Sequence, residues 1–323
     1  MSHQVLKNWA VAAGCALLLS GPGQGAPQET SSTPLTTERH YTLTARVRPL
    51  LFWISRAGVG GARIAWEEEA DGVRQIELLI GSDPARAPRK INRWGYIRES
   101  FSASGLELLG IMTESEEESV DQARARIDEV GGRHAFKAIR GRVRDQRAEA
   151  TVIHMLLAED YTYHDLDRLL LRLPDTGRVT PASALPDNVQ PGFLFALKSV
   201  LHSNVEQVCA RGRMGKETQS CLFVFNGALY RLIILKSDFH PSLTVNGRRY
   251  DSVIESRLQT RQVTTGSTSS FSIAYGTTGQ NREVPIRIVY RPRWWFEAEL
   301  QLTDEPSVAL ASREGPSWKS GHR

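Results

Sequence analysis

Period-two alternation of apolar and polar residues, broken by Asn-Gly and Asp-Gly pairs, constrains this chain more than any other feature. In residues 41–48, Tyr41, Leu43, Ala45 and Val47 fall on one side of an extended backbone, and Thr42, Thr44, Arg46 and Arg48 on the other. That is the pattern of a strand with one face buried. Residues 62–67 and 73–80 read as two more strands, joined across Asp71-Gly72. Residues 221–225 and 228–235 flank Asn226-Gly227, and 243–245 and 248–254 flank Asn246-Gly247. Such dipeptides tolerate the positive φ angles of tight hairpins. Residues 257–264, 270–275, 284–290 and 294–303 extend the meander. The expected fold is α+β and β-dominated, a curved antiparallel sheet or open barrel packed on a few short helices.

The helical signals are few. Ser115 and Glu118 form a capping-box pattern ahead of Val120, Ala123, Ile127 and Val130, and Gly131-Gly132 stops the run. The acidic residues 116–118 sit where a helix dipole favours them. A second helix is expected over 164–172, and a third over 191–203 behind Pro191. Pro174, Pro181 and Pro186 make residues 174–190 the best internal linker or long loop. The globular region, 41–303, is therefore either one domain or two divided near 174–190. Residues 26–40 read as a flexible leader and 304–323 as a disordered tail.

The N-terminus has the form of a secretory signal over residues 1–25. Lys7 precedes an apolar run over 9–19, which small residues then break. The run is shorter than the roughly 20 residues of a spanning helix. The expectation is an exported protein, periplasmic or extracellular, with no spanning segment after cleavage; a retained anchor is the alternative. Cys15 lies inside the run, which is the wrong place for a lipidated cysteine. A mature chain would keep only Cys209 and Cys221, and two cysteines in an exported protein point to a disulfide between them. The formal net charge of +4 gives no ground for a nucleic-acid partner.

Signatures of nucleotide-binding loops, zinc peptidases and nucleophile elbows are absent. No catalytic residue, cofactor or metal site is assigned. Asp165 and Asp167 are better explained by helix capping than by acid–base chemistry, since residues two apart on a helix diverge. The most suggestive feature is an arginine stripe. Extended geometry puts Arg140, Arg142 and Arg144 on one strand face, and Arg287, Arg291 and Arg293 alternate similarly. Such stripes can hold phosphate or carboxylate groups, or simply be solvated surface. In Trp294-Trp295-Phe296, Trp295 faces opposite its neighbours, toward either core, cavity or contact patch. The candidate ligand-binding residues are Arg140, Arg142, Arg144, Arg287 and Trp295.

Residues 243–252 (Leu-Thr-Val-Asn-Gly-Arg-Arg-Tyr-Asp-Ser) and 285–295 (Pro-Ile-Arg-Ile-Val-Tyr-Arg-Pro-Arg-Trp-Trp) resemble bacterial envelope proteins of the LolA/LolB-like open-barrel type. The likeness spans about 205–303. It implies a curved antiparallel sheet wrapped over helices, with an apolar concavity and no catalytic apparatus. The expected function is non-catalytic binding of an apolar or lipid-like ligand, or of an envelope partner. The alternatives are a secreted hydrolase gathering His154, Asp160 or His164, and a structural module that binds only protein.

Overall fold

The computed structural model describes residues 35–48, 53–69, 72–102, 105–113, 134–157, 161–186, 189–190, 192–202, 220–293 and 296–304. These residues belong to one compact unit, Pro34–Arg323. The segment expected to be a signal, the helix expected over 115–130, Asp160, Cys209, Trp295 and residues 305–323 lie outside the described residues.

The described chain is β-dominated. Its strands are β1 (Leu35–Val47), β2 (Ile54–Glu69), β3 (Gly72–Ser82), β4 (Trp94–Ser102), β5 (Gly105–Thr113), β6 (His134–Arg144), β7 (Arg147–Leu157) and β8 (Arg178–Ala184). After these come β9 (Val189–Gln190), β10 (Ser220–Phe225), β11 (Ala228–Val245), β12 (Arg248–Gln262), β13 (Thr268–Gly276), β14 (Pro285–Arg293) and β15 (Phe296–Thr303). Two short helices accompany them, α1 (Leu166–Leu170) and α2 (Phe193–Leu201).

All these strands form one sheet, in the order β8-β7-β6-β5-β4-β3-β2-β1-β15-β14-β13-β12-β11-β10-β9. Strands consecutive in the chain pair with each other, except β8 and β9 at the two edges, and β1 pairs with β15, joining the first half of the chain to the last. Every ladder is antiparallel except the short β9–β10 pair. The sheet curves without closing. The β10–β11 turn nevertheless packs against the far edge, where a Cβ at Gly227 would lie 3.2 Å from that of Ala150 and 3.4 Å from that of Thr180.

Local chemistry explains the hairpins. Asn226 and Gly227 have φ of 51° and 67°, and Asn246 and Gly247 have 50° and 74°, the paired positive values of a type I′ turn. Asp145 and Gln146 adopt the same conformation, with φ of 46° and 56°, in the β6–β7 turn that carries no glycine signal. Strand β1 is already paired at Leu35, opposite Glu68 of β2, because β2 is long enough to extend the ladder into the expected leader. Residues 174–190 hold both edge strands of the sheet. Prolines are compatible with those positions because an edge strand has one row of backbone groups with no ladder to form.

The two faces differ. On the inner face, residues from distant strands converge: Tyr41, Leu43, Ala62, Ile286, Leu300 and Leu302 are buried together, and the Tyr41 hydroxyl donates to the Pro285 carbonyl at 3.0 Å. On the outer face of β3–β7, Tyr161, Tyr163, Leu166 and Leu169 cover Leu79, Trp94, Tyr96, Ile111 and Phe136. This seats α1 and the 3-10 turn before it on the sheet. Trp94 opens β4 as a buried residue, its indole N–H donating to the Tyr161 carbonyl at 3.0 Å.

Candidate functional site

Helix α2 lies against the inner face, and both of its ends are tied to the sheet by carboxylates. At its start, Glu99 of β4 is fully buried. Its two oxygens accept hydrogen bonds from the backbone N–H groups of Leu194 at 3.0 Å and Phe195 at 3.1 Å. These are first-turn donors with no partner inside a helix. Gly192 makes the approach feasible, since a Cβ there would collide with the Glu99 carboxylate. Burial pushes the Glu99 carboxyl up to about 7, against the opposing pull of the α2 N–H groups. At the other end, Glu283 receives Lys198 at 3.4 Å and His202 Nδ1 at 2.7 Å. Burial raises the Glu283 pKa, but the His202 and Lys198 contacts outweigh it and hold the carboxyl below its ordinary range.

The helix contributes a ridge of aromatic side chains. Phe193 packs on Phe223 and Phe271, with ring centres 5.6 and 6.2 Å apart, and Phe195 meets Phe101 at 6.5 Å. Lys198 places its ammonium 5.1 Å from the centre of the Trp66 ring. Leu106, Leu108, Ile139 and Ala150 pack with Phe195 and with Phe225 of β10. Helix α2 therefore spans from β2–β7 to β10–β13. It does not cover the whole surface: Ile64, Trp66, Ile80, Ile288 and Ala298 border the core only half-buried.

The arginine stripe lies on the other side of the sheet. In register, Arg140 stands between Leu109 and Thr151, and Arg142 between Glu107 and Glu149. These side chains line an open outer groove of about 480 Å³, together with Arg98 and Asp175. Arg140 pairs with the exposed Asp175 at 3.3 Å, and Arg142 reaches Glu107 at 3.7 Å. The groove is thus of mixed charge rather than a cationic cradle, and exposed pairs of this kind add little stability. Arg144 is exposed beside the β6–β7 turn. Arg287 is remote from that groove in the sheet, on β14, where it bonds Glu255 at 2.7 Å. The structure brings Arg140 and Arg142 together and leaves Arg287 apart.

The residues that sequence reasoning proposed for chemistry are dispersed. His154 is on β7, and His164 is in the 3-10 turn, its ring centre 4.1 Å from that of Tyr163. Asp165 is a cap: it accepts from the backbone N–H and hydroxyl of Thr162, each at 3.0 Å. Those bonds and Arg168 overcome partial burial and lower its pKa. No group of three or more His, Cys, Asp or Glu side chains suited to a metal occurs among the described residues. No helix among them is long and apolar enough to cross a membrane. Sequence reasoning missed Glu99. A lone acid inside an alternating strand pattern, facing the apolar side, was the signal that would have found it.

The chain matches no protein-family model, no curated protein and no solved structure.

Proposed function

We propose that this chain is a non-catalytic exported binding protein whose ligand, apolar or lipid-like, lies against the inner face of the sheet. One observation carries the reading. The inner face is apolar from strand to strand, yet among the described residues α2 is the only helix lying against it, and Ile64, Trp66, Ile80 and Ile288 stay half-buried. Curved, incompletely filled sheets are suited to such ligands, and the resemblance to LolA/LolB-like proteins points the same way. The signal-like N-terminus supports export. The arginine groove is assigned a separate, polar role, since the sheet stands between it and the inner face.

The test is native mass spectrometry of the chain purified from an exporting host, set against its denatured mass. The expected result is retained mass that releases as an apolar molecule. A clean apo mass would overturn the ligand reading and favour an envelope partner. In the same spectra, a denatured mass 2 Da below the reduced value would establish the proposed Cys209–Cys221 bridge. Cys221 is buried on β10, and Cys209 lies outside the described residues.

A further inference from the structure

Four strands end side by side at one rim of the sheet. Register places Val47 of β1 between Ile54 of β2 and Phe296 of β15, and Phe296 opposite Arg293 of β14. Here the apolar inner face runs out into solvent. Val47 is 37% exposed, Ile54 54% and Tyr290 42%, and Trp53, at the same strand ends but on the outer side with Arg46 and Arg291, is 37% exposed. This concentrates exposed large apolar side chains on neighbouring strand ends, a feature that marks an interaction surface.

The same rim is cationic. Arg46 bonds Glu297 at 3.1 Å and Glu299 at 2.6 Å. Arg291 pairs with Glu297, and its guanidinium carbon lies 5.3 Å from the Trp53 ring centre. Both glutamates are buried, so they neutralise charge from beneath without facing solvent. Arg48 and Arg56 flank the same strand ends. Among the described side chains, the arginines at positions 46, 48, 56 and 291 outnumber the two buried glutamates by two.

Exposed aliphatic and aromatic side chains interleaved with arginines match the interface of an anionic bilayer. Apolar groups enter the acyl boundary, Trp and Tyr settle at headgroup level, and guanidinium groups meet phosphate. We infer that this rim, built on Val47, Trp53, Ile54, Tyr290 and the adjoining arginines, docks the protein on an anionic phospholipid surface. The surface consists of described residues only; positions 49–52 and 294–295 are outside them. The inference does not depend on the inner face holding a ligand, although an apolar face that continues to the rim would give such a ligand a route.

The experiment is co-sedimentation of the full chain from an exporting host with phosphatidylcholine vesicles, with and without phosphatidylglycerol. Binding is expected only when the anionic lipid is present, and it should weaken as salt is raised. Ile54→Asp should reduce it about tenfold, and Arg48→Ser with Arg56→Ser about fivefold for each arginine removed. Leu171→Asp, at a position 87% exposed after α1, is the control and should bind as the parent does. Circular dichroism of each variant separates lost docking from lost folding. Equal binding to both vesicle types, or equal loss in Ile54→Asp and Leu171→Asp, overturns the inference. So does a chain that ignores vesicles and instead self-associates through a contact that Ile54→Asp dissolves. An apo mass combined with vesicle binding would refute the ligand reading alone.

Discussion

Glu99 is the residue at which burial and charge conflict most directly. Its carboxyl is enclosed by the sheet and α2, and desolvation raises its pKa to about 7 from an ordinary 4.5. Between those values the folded chain holds a proton that the unfolded chain releases. Its contribution to stability is therefore complete below about pH 4.5 and is lost as pH rises through 7. The difference is about 3 kcal/mol, taking 1.36 kcal/mol per pKa unit. Glu99→Gln keeps an oxygen for the α2 N–H groups but cannot ionise. Urea unfolding at pH 5 and pH 8 should show the parent losing stability between the two, and the variant losing less by roughly that amount. Glu283, with its lowered pKa, loses its contribution only as pH falls through the carboxylate range, below this window. An identical pH response in parent and Glu99→Gln would show that the carboxyl is not held as the geometry indicates.

At the scale of the element, hairpins separate what was legible from what was not. Asn226-Gly227 and Asn246-Gly247 were readable because a dipeptide that tolerates positive φ carries its own local signal. The Asp145-Gln146 turn adopts the same φ values with less suited residues, held by the long β6–β7 ladder on either side. Strands β8 and β9 were hidden for the opposite reason, since Pro181 within β8 and Pro174 and Pro186 around the two strands read as loop, although a sheet edge admits proline. The two glycines also differ in surroundings. A Cβ at Gly247 meets nothing within 4 Å, whereas one at Gly227 meets the backbone nitrogen of Ala150 at 3.4 Å as well as its Cβ. Gly247→Ala should cost about 1 kcal/mol, from positive φ alone. Gly227→Ala should cost about 1–3 kcal/mol more, because it also presses one sheet edge against the other. Thermal unfolding of both variants checks the ordering, and equal costs would mean that the β10–β11 turn is not seated on β7.

Across the whole molecule, the decisive fact is that the sheet has two sides with different chemistry. Alternation along β6 was enough to place Arg140 and Arg142 on one face, but not to say which face. A period-two pattern is symmetric until the curvature and the position of α2 are known. Their partners Asp175 and Glu107 come from a loop and a neighbouring strand, which no local pattern joins to them. With α2 on the inner side and the groove on the outer, one small ligand cannot engage both surfaces. An apolar fluorescent probe titrated into the chain should therefore bind equally well after Arg140→Ser and Arg142→Ser. Trp66→Ala, on the inner face, should weaken the probe about fivefold, the equivalent of ~1 kcal/mol. A probe that responds to the arginines instead would place the ligand in the outer groove and make the inner face a structural core, with Glu99 serving only to seat α2 within it.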